Sequence, residues 1–301
     1  MDVVIAGSHG LIGRALVEHL VTAGHQVVRL VRRPAERADE LEWEPSTGRL
    51  TAGALSGVDA VVNLAGAGVG DHRLTPAYKR TVLESRTSTT ALLARTMAAA
   101  ASPPRMLLQG SAVGAYGDTG PREVDETEPL GRTFLASVVR EWEASTEAAR
   151  DAGIRVAHLR TGIVLSPHGG ALARMLPLLH AGIGGRLGSG RQFWSWITLE
   201  DEVRAITHLL TSSVQGPVNL TAPHPADNAH VTRALARELR RPAVVAVPAV
   251  ALRIALGEFS QEVLGSIRAV PHVLTADGFT FHHPTIEEAA RWVVGQRDAR
   301  R

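Results

Sequence analysis

The chain has 301 residues; thirty-one of its thirty-two basic residues are arginine, one is lysine (Lys79), two residues are tyrosine (Tyr78 and Tyr116) and none is cysteine. The missing thiols exclude disulfides, thiolate nucleophiles, iron–sulfur clusters and cysteine-based zinc sites, and chemistry that needs a lysine or a phenol must fall on those three side chains. A formal net charge of +2 with 45% apolar and 21% charged residues is an ordinary globular composition, without the positive field that nucleic-acid binding requires.

The first apolar run, residues 3–6, reads as a buried strand ended by glycine. The glycine-rich stretch Gly7-Ser8-His9-Gly10-Leu11-Ile12-Gly13 follows. Ile12, Leu16 and Leu20 then recur every four residues, which predicts a helix with one buried face, stopped at Gly24. Residues 26–31 form the next apolar strand, so the chain opens with a βαβ unit. Further strands are expected at 59–65, 105–109 and 155–160. Long helices are expected at 75–101, stopped by Pro103-Pro104, and at 133–152, stopped by Gly153. This alternation predicts an α/β fold: a Rossmann-type, doubly wound parallel sheet covered on both faces. After Leu165 the rhythm loosens, and residues 216–220 read as one more strand returning to the sheet. The expected division is a nucleotide-binding domain over 1–165 and a smaller substrate lobe over 166–301. No apolar run reaches the about eighteen residues of a membrane span. The N-terminus lacks the basic region and cleavage site of a signal peptide. A cytoplasmic protein with no membrane partner is expected.

Gly7, Gly10 and Gly13 stand between a predicted strand and a predicted helix. The first glycine permits a tight turn, the second close approach of a pyrophosphate, and the third close packing of helix on strand. The helix N-terminus then offers free N–H groups and a positive dipole end to the phosphates. The second strand ends in Val31-Arg32-Arg33 with no acid. An acid there would bond the ribose 2′-OH of NAD, whereas an arginine pairs with the 2′-phosphate of NADP(H). NADP(H) is the expected cofactor, with Arg32 as its phosphate partner because it comes first after the strand.

From here the chain resembles the extended short-chain dehydrogenase/reductase superfamily, and specifically its epimerase-like branch with a C-terminal domain of its own. The matching stretches are Val62-Asn63-Leu64-Ala65-Gly66, Glu84-Ser85-Arg86, Ser111-Ala112-Val113-Gly114-Ala115-Tyr116-Gly117, Trp142-Glu143 and Leu159-Arg160-Thr161-Gly162-Ile163-Val164-Leu165. Further along are Gly190-Arg191-Gln192, Ser195-Trp196-Ile197, Val218-Asn219-Leu220-Thr221-Ala222-Pro223, Gly257-Glu258 and Asp277-Gly278-Phe279-Thr280-Phe281. The resemblance spans almost the whole chain. It implies a family-specific segment over about residues 245–293 and adds Leu64, Ala65, Gly66 and Arg160 to the cofactor site. Superfamily members often dimerise through the helices corresponding to 75–101 and 133–152, so a homodimer is one expected form. Three positions depart from the pattern: Ala115 and Leu74 replace aromatics, and Thr198 replaces a histidine.

Short-chain reductases carry a Tyr-x-x-x-Lys pair that exchanges a proton with substrate and binds the nicotinamide ribose. That spacing does not occur here. Val82 follows Tyr78 by four residues and Gly120 follows Tyr116. Where the pair belongs stand Phe134-Leu135 and Val138-Val139. The usual catalytic hydroxyl falls on Ala112, with Ser111 one place early. Ser111 is a candidate hydrogen-bond donor to substrate or a turn cap. Tyr116 is a candidate proton donor or a packing aromatic. Lys79 is a candidate cleft cation or a surface charge. Arg191, Trp194 and Trp196, with Gln192, could line a pocket for an anionic or sugar-like substrate or fill a lobe junction. Arg233, Arg237, Arg240 and Arg241 read as a solvated helix face. No metal site is expected, because His224, His282 and His283 lack ligand spacing. Gly110-Ser111-Ala112-Val113-Gly114 misplaces the serine of a hydrolase elbow. Two functions follow: an NADP(H)-dependent oxidoreductase or epimerase-like enzyme for a small carbonyl or hydroxyl substrate, or an NADP(H)-binding sensor or partner-binding protein without turnover, linked to cell division as some relatives are thought to be.

Overall fold

A computed structural model describes residues 1–51 and 53–298. The strands are β1 (Asp2–Ala6), β2 (Gln26–Val31), β3 (Glu40–Glu44), β4 (Arg49–Leu50), β5 (Ala60–Asn63), β6 (Met106–Ala112), β7 (Glu123–Val124), β8 (Arg155–Thr161), β9 (Ile163–Leu165), β10 (Phe193–Trp194), β11 (Trp196–Thr198), β12 (Gly216–Leu220), β13 (Ala226–Asp227) and β14 (Arg268–Ala269). The helices are α1 (Leu11–Thr22), α2 (Pro76–Ala98), α3 (Phe134–Ala144), α4 (Glu147–Asp151), α5 (Leu172–His180), α6 (Leu199–Thr211), α7 (Asn228–Glu238), α8 (Ala249–Leu256), α9 (Ser260–Leu264), α10 (His272–Ala276) and α11 (Ile286–Asp298).

One eight-stranded sheet, in the order β12-β8-β6-β5-β1-β2-β3-β4, carries the fold, and only β4 runs antiparallel to its neighbour. Alternate strand residues divide between its faces. Val3, Ile5, Val62, Leu108, Leu159 and Val218 pack against Leu16 and Leu20 of α1 and Ile206 and Leu209 of α6. Val4, Val61, Leu107 and Val156 face the other way, onto Leu93 and Met97 of α2 and Ala149 of α4. This two-sided burial is why the central strands read as continuous apolar runs. A second core, from Leu165 onward, joins α5, α7 and α11 around Trp194 and Trp196.

Two differences from the sequence reading concern the main sheet and the helices that cover it. The helix expected over 133–152 is two helices, α3 and α4. Thr146 breaks it: its hydroxyl donates to the Glu143 carbonyl at 2.7 Å and also meets His158 Nε2 on β8 at 3.1 Å. The strands β3 and β4 were not expected, because Glu40-Leu41-Glu42-Trp43-Glu44 hides its alternation behind three carboxylates; Trp43 anchors it in the core. Among the described residues no helix is long and apolar enough to cross a membrane, and no cluster of side chains could hold a metal ion.

Candidate active site

The glycine turn is built by contact distances that exclude side chains. Gly7 adopts φ +80°, and a Cβ on it would stand 2.6 Å from the Leu64 carbonyl group. A Cβ on Gly13 would stand 2.2 Å from the Gly7 oxygen, closer than atoms can approach, whereas one on Gly10 would meet that oxygen at a tight 3.3 Å. Gly10 caps α1 without a side-chain hydrogen bond, so the first amides of the helix stay open to a ligand. Around the turn, Ser8 is buried, His9 is exposed and Ile12 packs into the sheet core. Leu11 rests against the Gly169-Gly170 turn. A groove of about 930 Å³ runs from Gly7, His9 and Gly10 past Leu64, Ala65 and Gly66 to Arg32, Trp43 and Glu44.

The two arginines after β2 have different surroundings. Arg33 grips Glu40 with both terminal nitrogens, at 2.8 and 2.9 Å. The Arg33 hydrogen bonds hold the Glu40 carboxyl down at about 2. Arg32 is exposed and, among the described residues, makes no hydrogen bond or ion pair. Glu44, at the end of β3, is held by Ser46 through its backbone and hydroxyl groups and lies in the field of Arg32.

At the other end of the sheet the candidate proton donors are engaged. Ser111, Arg160 and Asn219 form one row across β6, β8 and β12. All three point to the α3 side, the face opposite Leu108, Leu159 and Val218. Arg160 binds Glu143 of α3 through Nε and Nη2, each at 2.9 Å. Ser111 Oγ donates to Glu143 at 2.7 Å. Tyr116 donates its hydroxyl to Asn219 Oδ1 at 2.7 Å and accepts from Arg160 Nη1 at 3.1 Å. Burial pushes the Tyr116 phenol up, against the pull of Arg160. Burial also pushes the Glu143 carboxyl up, but the hydrogen bonds and charge of Arg160, with the Ser111 hydroxyl, outweigh it and leave it below the usual carboxylate range. Burial drives His158 down to about 4, so its ring is neutral.

These contacts show what each candidate residue touches within the protein. Arg160, expected at the cofactor site, is paired with Glu143. Ser111 and Tyr116 spend their hydroxyl protons on Glu143 and Asn219. Trp196 is fully buried and Trp194 nearly so, both in the lobe core, where packing has taken the place of pocket lining. Arg191 is exposed and lies outside the groove lining. Lys79, by contrast, is half-buried. Its Nζ stands 4.9 Å from the centre of the Phe134 ring and forms an ion pair with Glu258 from the C-terminal segment. Glu143, Asn219 and Glu258 enter the sequence reading only as parts of motifs. The signal for the first two was their place at a helix end and in a strand row, which needs the sheet register to interpret.

The sequence matches the NAD dependent epimerase/dehydratase family over residues 3–221 and a domain of unknown function (DUF1731) over residues 247–293. It is 47% identical to an epimerase family protein of Mycobacterium bovis, across 95% of both chains. Its fold matches human epimerase family protein SDR39U1, solved with NADPH, with a TM-score of 0.91 and 31% identity over 98% of this chain and 99% of that one. A nucleoside-diphosphate sugar epimerase from Corynebacterium glutamicum matches with a TM-score of 0.80 and 34% identity, over 98% of this chain and 58% of that one. With its glycine turn, parallel sheet and C-terminal segment all accounted for, the chain belongs to the NAD dependent epimerase/dehydratase family.

Proposed function

We propose that the protein binds NADPH and acts as an oxidoreductase or epimerase-like enzyme on a small carbonyl or hydroxyl substrate. The observation that carries the cofactor reading is the difference between the two arginines. Arg33 is consumed by Glu40, which leaves Arg32 as the unpaired guanidinium in the groove that begins at the glycine turn. The NADPH in the structure of human SDR39U1 supports the same reading. The Gly7–Gly13 turn fits a pyrophosphate: without side chains Gly7 packs on the Leu64 backbone and Gly13 on Gly7, and Gly10, at the start of α1, keeps no side chain between its backbone and a ligand. When bound, the nicotinamide supplies or accepts hydride. The chain's own task is then to move one proton at the substrate oxygen. Ser111 and Tyr116 are committed elsewhere, and Ala112, Phe134 and Val138 carry no exchangeable side-chain proton. Lys79, poised over Phe134 with Glu258 as partner, is the proposed donor. The same inert trio favours the second reading, an NADPH-binding protein without turnover.

Titration of the purified protein with NADPH and NADH, read by fluorescence, tests the cofactor reading. NADPH should bind tighter, and Arg32→Ser should erase about 10- to 100-fold of that preference, the worth of a charge-assisted pair. Equal or tighter binding of NADH by the unaltered protein refutes it. With a carbonyl panel, NADPH oxidation that survives Tyr116→Phe and fails in Lys79→Met supports the enzyme reading. No oxidation of NADPH by the unaltered protein with any member of a broad panel favours the second reading.

A further inference from the structure

On α2, the residues that line the groove are Thr81, Glu84, Ser85, Ser88 and Thr89. Arg86 is turned about 100° from Ser85 around the helix, toward α3. Its guanidinium carbon lies 4.9 Å from the Trp142 ring on α3 and 3.3 Å from where a Cβ on Gly66 would stand. Gly66 continues the Leu64–Ala65 backbone that presses on Gly7. Arg86 therefore stands beside the phosphate turn, on the side of the helix that holds Phe134 and Val138.

This arginine is a charge without a counter-charge. Nη1 donates to the carbonyl oxygens of Ala67 at 2.9 Å and Val82 at 3.0 Å. Among the described residues no carboxylate pairs with it. Nε and Nη2 reach no protein acceptor, yet neither is sealed from solvent. Burial pulls its pKa down to about 10. Arg160, similarly enclosed, differs in having both prongs on Glu143. A partly desolvated cation is costly unless something pairs with it. The edge formed by Nε and Nη2 is the one that takes two oxygens of a carboxylate or phosphate.

We propose that Arg86 is an oxyanion-binding site at the reactive end of the groove, taking two oxygens of one anionic group. That group comes from the cofactor phosphate nearest the nicotinamide or from an acidic group on the substrate. The inference rests on the cofactor reading above for the direction of the groove.

The test uses Arg86→Met and Arg86→Lys in the full chain. NADPH is titrated against adenosine 2′,5′-bisphosphate, which lacks the nicotinamide nucleotide and its phosphate. If the cofactor is the source, Arg86→Met binds NADPH about 10- to 100-fold more weakly and the bisphosphate unchanged. If the substrate is the source, NADPH affinity holds in both variants. Malonate or inorganic phosphate then perturbs the fluorescence of NADPH bound to the unaltered protein and fails to do so in the variants. Arg86→Lys keeps the charge, so the comparison stands even where the methionine variant does not fold; its loss is smaller because an ammonium lacks the planar fork. Equal weakening of NADPH and the bisphosphate, or no change in any arm, overturns the proposal. A protein that prefers NADH would refute the Arg32 reading and leave this comparison intact, because NADH carries the same diphosphate.

Discussion

Replacing Arg160 with methionine removes a guanidinium while keeping much of its bulk. The side chains of Arg160 and Glu143 are 6% and 12% exposed, so the pair is desolvated and its loss is not masked by solvent. After the change, Glu143 keeps Ser111 at 2.7 Å and a neutral His158 at 3.9 Å, but no cation within bonding distance. Tyr116 loses one of its two hydroxyl partners. Removing one member of a buried pair costs about 3–5 kcal/mol, most of it the charge left behind. Arg160→Met should therefore lower the unfolding free energy by that amount at pH 7, measured by urea titration of tryptophan fluorescence. Glu143 is held below its ordinary value in the intact protein, so its contribution is present above about pH 4.5 and fades as the pH falls through the folded value. Without Arg160 the carboxyl can protonate, and the deficit at pH 5 should be smaller than at pH 7. The double variant Arg160→Met/Glu143→Leu should cost less than the sum of the single changes, by about 1–3 kcal/mol. A deficit under about 1 kcal/mol, or additive costs, would refute the view that this is a closed structural pair.

Two further outcomes test the turn and a buried acid. Gly13→Ala forces a methyl to within 2.2 Å of the Gly7 oxygen, so NADPH binding should be lost even where circular dichroism shows a folded chain; retained affinity would refute the steric account. Glu202 is fully buried, accepts one hydrogen bond from Thr161, and is pushed by burial up to about 8. A raised folded value means its contribution is intact below about pH 4.5 and is lost as the pH climbs toward 8. Glu202→Gln removes that loss. Relative to the unaltered protein it should gain up to about 4 kcal/mol between pH 5 and pH 8 in urea titrations, and an unchanged pH slope would contradict the assignment.

The glycine turn and the first βαβ unit were legible because their causes are local: steric exclusion at Gly7 and Gly13, and the spacing of Leu16 and Leu20. The place of Arg32, first past β2 and in the groove lining, was legible for the same reason. The roles of Ser111, Tyr116 and Arg160 were not. Their partners Glu143 and Asn219 lie 32 and 103 residues from Ser111 and Tyr116, and only the register of β6, β8 and β12 brings them together. Arg86 was equally opaque, because what marks it is a missing carboxylate, and no sequence pattern displays that. The tryptophans of the second lobe leave two readings open in the sequence. A polar-aromatic run is compatible with a pocket or a core, and the burial of Trp196 decides for the core.

The same contacts explain what most of the later motifs do. Asn219 Nδ2 donates to the Val270 carbonyl at 2.9 Å, and its backbone amide donates to Glu126 at 2.9 Å. Glu126 in turn accepts from the Val273 amide. Ser195 Oγ donates to the Ile267 carbonyl and accepts from the Ala269 amide, each at 2.8 Å. Thr221 Oγ1 donates to the Ala269 carbonyl. Five backbone groups between 267 and 273 are thus tied to side chains at 126, 195, 219 and 221. Buried amides and carbonyls need such partners, since each one left unpaired costs about 1–3 kcal/mol. The motif residues Ser195, Asn219 and Thr221 therefore secure the C-terminal segment to the edge of the sheet, and through Tyr116 and Arg160 they connect it to α3. The roles proposed above fall on side chains that this anchorage does not use. Of the residues discussed, those are Arg32 in the groove lining, Arg86 beside Trp142 of α3, and the Lys79–Glu258 pair beside Phe134 of α3.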